Sequence, residues 1–139
     1  MKTKSRILLP VVLMAAMLMS TVSIATAGEL LIVSALSEDS IAAPNNRLPN
    51  YIVVSVTTAD GTPMTGLTAT NFKVDPIIVA PGGALVNITD VRSSRLPGFY
   101  QLQVVPISTQ TWKAGVYIFA VSVTQGVKNG QALTSVTMD

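Results

Sequence analysis

Two segments of this chain obey the same rule, and the rule suits a strand and not a helix. Gly98-Phe99-Tyr100-Gln101-Leu102-Gln103-Val104 and Gly115-Val116-Tyr117-Ile118-Phe119-Ala120-Val121 share the pattern Gly-x-Tyr-x-apolar-x-Val, seventeen residues apart. Side chains of an extended chain alternate between two faces, so each segment sends a tyrosine, a large apolar residue and a valine to one side. The expectation is two strands, each starting from a glycine turn and anchored in the core by an amphipathic ring. A seventeen-residue spacing is too short for a repeated domain. Both segments therefore belong to a single core.

The surrounding chain has the same character. Val, Ile, Thr and Ser dominate after Gly28, and Gly, Pro, Asn or Asp interrupt them every eight to twelve residues, the spacing of an all-β sandwich or barrel. Strands are expected over residues 30–36, 51–59, 85–91 and 132–138 besides the two above. Within 51–59, Ile52, Val54 and Val56 form one apolar row. Leu67, Phe72 and Val74 suggest a short irregular strand that residues 77–80 continue after Pro76. Asp60-Gly61-Thr62-Pro63 is a turn by its chemistry, since Asp bonds nearby backbone and Gly accepts positive φ. Pro81-Gly82-Gly83 and Leu96-Pro97-Gly98 are further breaks. Residues 37–50 read as a long loop, and residues 125–131 as a hairpin loop containing Gly126, Asn129 and Gly130. About seven strands in this length predict a two-layer antiparallel β-sandwich of the immunoglobulin-like kind.

The first 27 residues follow a different logic. Lys2, Lys4 and Arg6 form a basic head, residues 7–19 an apolar run, and Ala25-Thr26-Ala27 a small-residue exit. That order is the pattern of a secretory signal peptide with an A-x-A cleavage site. An uncleaved membrane anchor is the alternative, but Ser20, Thr21 and Ser23 interrupt the apolar stretch. No cysteine stands at the junction to carry a lipid. The expected organisation is a signal peptide over residues 1–27 and one β-sandwich domain over residues 28–139, exported to a bacterial periplasm or beyond, with no membrane span after cleavage. Asn87-Ile88-Thr89 matches a glycosylation sequon but is expected to serve as strand.

Removing the leader changes the composition that matters. The full chain carries a formal charge of +2, whereas residues 28–139 hold six basic against seven acidic residues, a charge of −1. Arg47, Lys73, Arg92, Arg95, Lys113 and Lys128 are scattered, which excludes nucleic acid as an expected partner. Only Met64 and Met138 remain of the methionines. The chain contains no cysteine, so the fold must rest on its core and strand pairing where many small exported domains add disulfides.

A resemblance follows from these segments. Residues 54–67, Val-Ser-Val-Thr-Thr-Ala-Asp-Gly-Thr-Pro-Met-Thr-Gly-Leu, taken with Gly98-Phe99-Tyr100 and residues 114–121, resemble the bacterial immunoglobulin-like and carboxypeptidase-regulatory-like modules. Those modules carry a strand, an Asp-Gly-x-Pro turn, a Gly-Leu step and late Gly-x-Tyr strands. The resemblance implies a β-sandwich of export and surface proteins that binds or supports without catalysis. Those modules are usually beads of a longer protein, whereas this one is expected to stand alone.

The chain has neither histidine nor cysteine, which removes the common general bases, thiol nucleophiles and zinc or copper ligands. Carboxylates remain, but Asp60 sits in a turn, Asp75 precedes a proline and Asp90 ends a strand, so no catalytic pair and no cofactor site are expected. Glu38-Asp39 is the one adjacent acidic pair, a candidate for calcium to be set against the reading as solvated loop charges, which is preferred because the regular D-x-D-x-D spacing is missing. Trp112, the sole tryptophan, either packs against Tyr117 or stands exposed to stack on a sugar or anchor a protein. The candidate partner-binding residues are Trp112, Glu38, Asp39 and Asn129, on the end loops 37–50, 107–112 and 125–130. The expected function is recognition of a protein or glycan partner without catalysis. A self-assembling surface or fibre subunit that pairs its first or last strand is the second expectation, and a small hydrolase accessory domain the third. Oligomeric state stays open.

Overall fold

Period-two burial marks β-strands along the computed structural model, which describes residues 29–38 and 41–139. Seven strands follow in chain order: β1 (Leu31–Ser37), β2 (Asn50–Thr58), β3 (Phe72–Ile78), β4 (Val86–Ser93), β5 (Phe99–Pro106), β6 (Gly115–Gln125) and β7 (Lys128–Met138). One short 3-10 turn, Ala69–Asn71, precedes β3. The strands form two antiparallel sheets, four-stranded β1-β2-β5-β4 and three-stranded β3-β6-β7. This four-plus-three order is that of a constant-type immunoglobulin sandwich. The signal-peptide region lies outside the described residues, as does Asp39.

The twin segments are the two middle strands that face each other across the core. Tyr100, Leu102 and Val104 on β5 and Tyr117, Phe119 and Val121 on β6 are all buried, as the alternation predicts. Ile52, Val54 and Val56 on β2 complete the row from the four-stranded sheet. Gly98 precedes β5 and Gly115 opens β6, at φ 79° and 127°, values that a side-chain-bearing residue seldom adopts. Burying a tyrosine leaves its hydroxyl in need of a partner, and each finds backbone. The Tyr100 hydroxyl donates to Met64 O (2.7 Å) and accepts from the Leu67 N–H (3.2 Å), tying down the β2–β3 connection. At the opposite end the Tyr117 hydroxyl accepts from the Lys113 N–H at 2.9 Å, the closure known in immunoglobulin-like folds as a tyrosine corner.

The irregular strand expected around Pro76 is β3, which begins at Phe72 and continues past the proline to Ile78 with its register shifting between Pro76 and Ile78, as a strand on a sheet border tolerates. One expectation changes. The loop expected over 125–131 shrinks to Gly126-Val127, since Lys128 already pairs with Gln125 and Gly130 with Val123. The first strand, whose apolar character suggests a sheet edge of the ordinarily protected kind, has its outer border covered by β7. Leu30 forms a parallel bridge to Asn129, the Ser37 N–H donates to the Thr134 hydroxyl at 2.9 Å, and Lys128 pairs with Glu29 at 2.9 Å. Gly130 makes this approach feasible: a Cβ there would stand 2.4 Å from Leu31 O.

Candidate functional site

Strand register assembles a surface that no single segment announces. On the outer face of the four-stranded sheet, Leu36 lies opposite Val53, Val53 opposite Gln101, and Gln101 opposite Arg92. The neighbouring row is Ser34, Ser55 and Phe99, with the two serine hydroxyls 2.7 Å apart. The connection from β4 to β5 then rises beside these rows and carries Arg95 and Leu96. The result is a groove of about 490 Å³, within the range of small-ligand and peptide sites, floored by Val53 and Phe99 and flanked by Arg92, Arg95, Leu96 and Glu38.

Three polar side chains of the groove, Glu38, Gln101 and Arg92, have hydrogen-bond partners. The Gln101 Nε2 donates to Glu38 Oε2 at 2.8 Å, bridging β5 to the residue that follows β1. The Arg92 Nε donates to Asp90 Oδ2 at 2.7 Å, which fixes one guanidinium along β4. Leu36, Leu96 and Phe99 are all exposed, at 68%, 61% and 38%. Burying their apolar surface against a partner is the favourable term available here, and Arg and Phe are residue types enriched where proteins bind one another.

Comparison of the chain with protein-family models, with curated proteins and with solved structures finds no match.

The residues singled out in the sequence divide sharply. Trp112 is fully buried, so the exposed-aromatic reading is corrected. Its indole N–H donates to Leu48 O at 2.8 Å, and its ring meets Tyr117 edge-on with centroids 5.2 Å apart. Its backbone also exchanges bonds with the long loop, from Asn45 N–H to Trp112 O and from Trp112 N–H to Asn46 O. Trp112 is thus the fastener that brings loops 37–50 and 107–112 together at one end. Glu38 is exposed and belongs to the groove. Asp39 lies outside the described residues. Asn129 is exposed at the opposite end, but in strand, where it pairs with Thr124 and its N–H donates to Glu29 O.

The remaining carboxylates stand apart from the groove or beside a cation. Asp75 pairs with Lys73 at 2.8 Å on β3. Asp60 accepts from the Thr58 hydroxyl and the Thr62 N–H within the Asp-Gly turn. The Thr58 hydroxyl first, then the Thr62 backbone, holds its carboxyl below the usual carboxylate range, because a hydrogen bond to the charged form favours that form. Among the described residues no group of three or more His, Cys, Asp or Glu gathers as metal ligands do, and no helix is long and apolar enough to cross a membrane.

Phe99, Arg92, Arg95 and Leu96 escaped sequence reasoning. Outward positions of a strand look like ordinary alternation. Only knowing which strands are neighbours makes them a cluster.

Proposed function

We propose that the chain is an exported, non-catalytic β-sandwich module that recognises a partner with the outer face of its four-stranded sheet. The observation that carries this is the groove itself, an apolar floor of Val53 and Phe99 within a fixed polar border of Glu38, Gln101 and Arg92. An apolar centre with a polar rim is the anatomy of a protein-binding patch. The surface differs from the end loops expected from sequence. One end is committed to internal bonds through Trp112 and Tyr117, which makes it a support for the sheet. The four-plus-three strand order and the tyrosine corner are features of the immunoglobulin-like architecture and support reading the chain as a module of that shape.

A photo-reactive amino acid placed at Leu96 and, separately, at Leu133 on the outer face of the other sheet tests the proposal in the native envelope. Cross-linking from position 96 to one defined partner, lost on Phe99→Ala, is the expected outcome. Equal capture from both positions, or capture indifferent to Phe99→Ala, overturns it.

A further inference from the structure

Four strands border the two sheets, and three of them are covered or blocked. β1 and β7 close on each other. β3 carries Pro76, a residue that cannot donate a ladder bond. β4 remains. The bond from the Ser94 N–H to Phe99 O (2.8 Å) sets the phase of its backbone. Ser94, Arg92 and Asp90 turn their polar groups toward β5, so the two-residue alternation turns those of Val91 and Ser93 to the open side. A bulge between Ile88 and Asp90 ends this run in the other direction. Asp90 and Arg92 point to the same outer face, one on each side of Val91, with opposite charges.

We propose that β4 pairs antiparallel with β4 of a second copy of this chain, about a two-fold axis through Val91. In that register the two Val91 residues exchange backbone N–H···O bonds. Each Asp90 lies opposite the other copy's Arg92, so both carboxylates sit between two guanidinium groups. The neighbouring registers fail on charge: centring on Arg92 sets arginine against arginine, and centring on Asp90 sets aspartate against aspartate. Charge and a bulge ordinarily guard an edge strand against foreign strands. Here they form a pattern that the chain's own copy satisfies. The axis stands perpendicular to the sheet, so the paired copies form one eight-stranded sheet with both grooves on the same side. A partner with two sites would be held by both.

The inference goes beyond the groove reading and is tested by a separate readout, the mass of the purified protein by sedimentation equilibrium from micromolar to millimolar concentration. The wild type is expected to dimerise reversibly. Asp90→Arg alone and Arg92→Asp alone each set like charges across the axis and should weaken the dimer at least about tenfold. An equimolar mixture of these two variants restores opposite charges at both contacts and should dimerise again, as should the double swap Asp90→Arg with Arg92→Asp. The Arg92 side chain is 74% exposed and that of Asp90 39%, so neither substitution empties the core. A wild type that stays monomeric at millimolar concentration overturns the proposal, as do single variants that dimerise like wild type or a mixture that does not recover. Phe99→Ala should dimerise as wild type does. Loss of the dimer in that variant would assign the contact to the groove and overturn pairing through β4.

Discussion

The sandwich has two seams, each bordered by one strand from either sheet, and they differ in kind. At the β1/β7 seam the backbones meet. Leu31 is buried there at 2%, Gly130 lies under its carbonyl, and the Glu29–Lys128 pair and the Ser37-to-Thr134 bond run along the join. At the β3/β4 seam a cleft of about 340 Å³ separates the borders, lined by Phe72 and Val74 on one side and Val86 and Ile88 on the other. Both of its strands are bulged. A seam closes where a residue without a side chain lets two backbones approach, and it stays open where irregular strands twist away from each other. The closed seam serves stability. The open one leaves β4 available.

That contrast can be broken most easily at Leu31. Leu31→Ala removes a fully buried side chain from the closed seam and should cost about 3 kcal/mol, measured by denaturant unfolding. Next comes Gly130→Ala, which sets a methyl group against Leu31 O and the Leu31 and Val33 side chains. Backbone has to move to admit it, and a loss of about 2 kcal/mol is expected. A cost near zero would mean that β1 does not lie tight against β7. On the open side, Ile88→Val removes one methylene from a half-buried position and should cost only about 0.5 kcal/mol. An effect as large as that of Leu31→Ala would show the open seam to be closed in solution.

The smallest effect is electrostatic and belongs to neither seam. Asp60 has its pKa lowered in the folded chain, so its contribution is present above the unfolded value of 3.8 and disappears as pH falls through the lower folded value. Unfolding of wild type and Asp60→Asn, compared at pH 6 and pH 2, should show a slightly steeper acid loss for wild type. An identical pH dependence would mean that the Thr58 and Thr62 bonds do not hold the carboxylate in solution.

The core was largely legible because alternation is a local property. Tyr100, Leu102, Val104, Tyr117, Phe119 and Val121 announce their burial through nearest neighbours in the chain, and the Asp60-Gly61 turn through its own chemistry. The hairpin was misjudged for a related reason. Lys128, Asn129 and Gly130 carry turn-like signals, yet eleven paired positions between β6 and β7 draw them into strand, and Gly130 serves close approach instead of a turn. Trp112 showed its importance as the sole tryptophan, but whether a ring faces solvent or core depends on residues as distant as Leu48. The groove was the least legible. Gln101 and Glu38 are 63 residues apart, and nothing near either one indicates the other.

By itself the amino-acid sequence determined that this chain would form alternating strands, where most of them break, and that its core would be built on two tyrosine-anchored rows without disulfides. These follow from the two-residue period of the backbone and from the conformational freedom of glycine, which act over a few bonds. Only the tertiary structure decided which strands became neighbours, and with them the sealed seam, the open one and the groove. Pairing is settled by burial and backbone bonds across the whole domain, between residues that the chain itself keeps far apart.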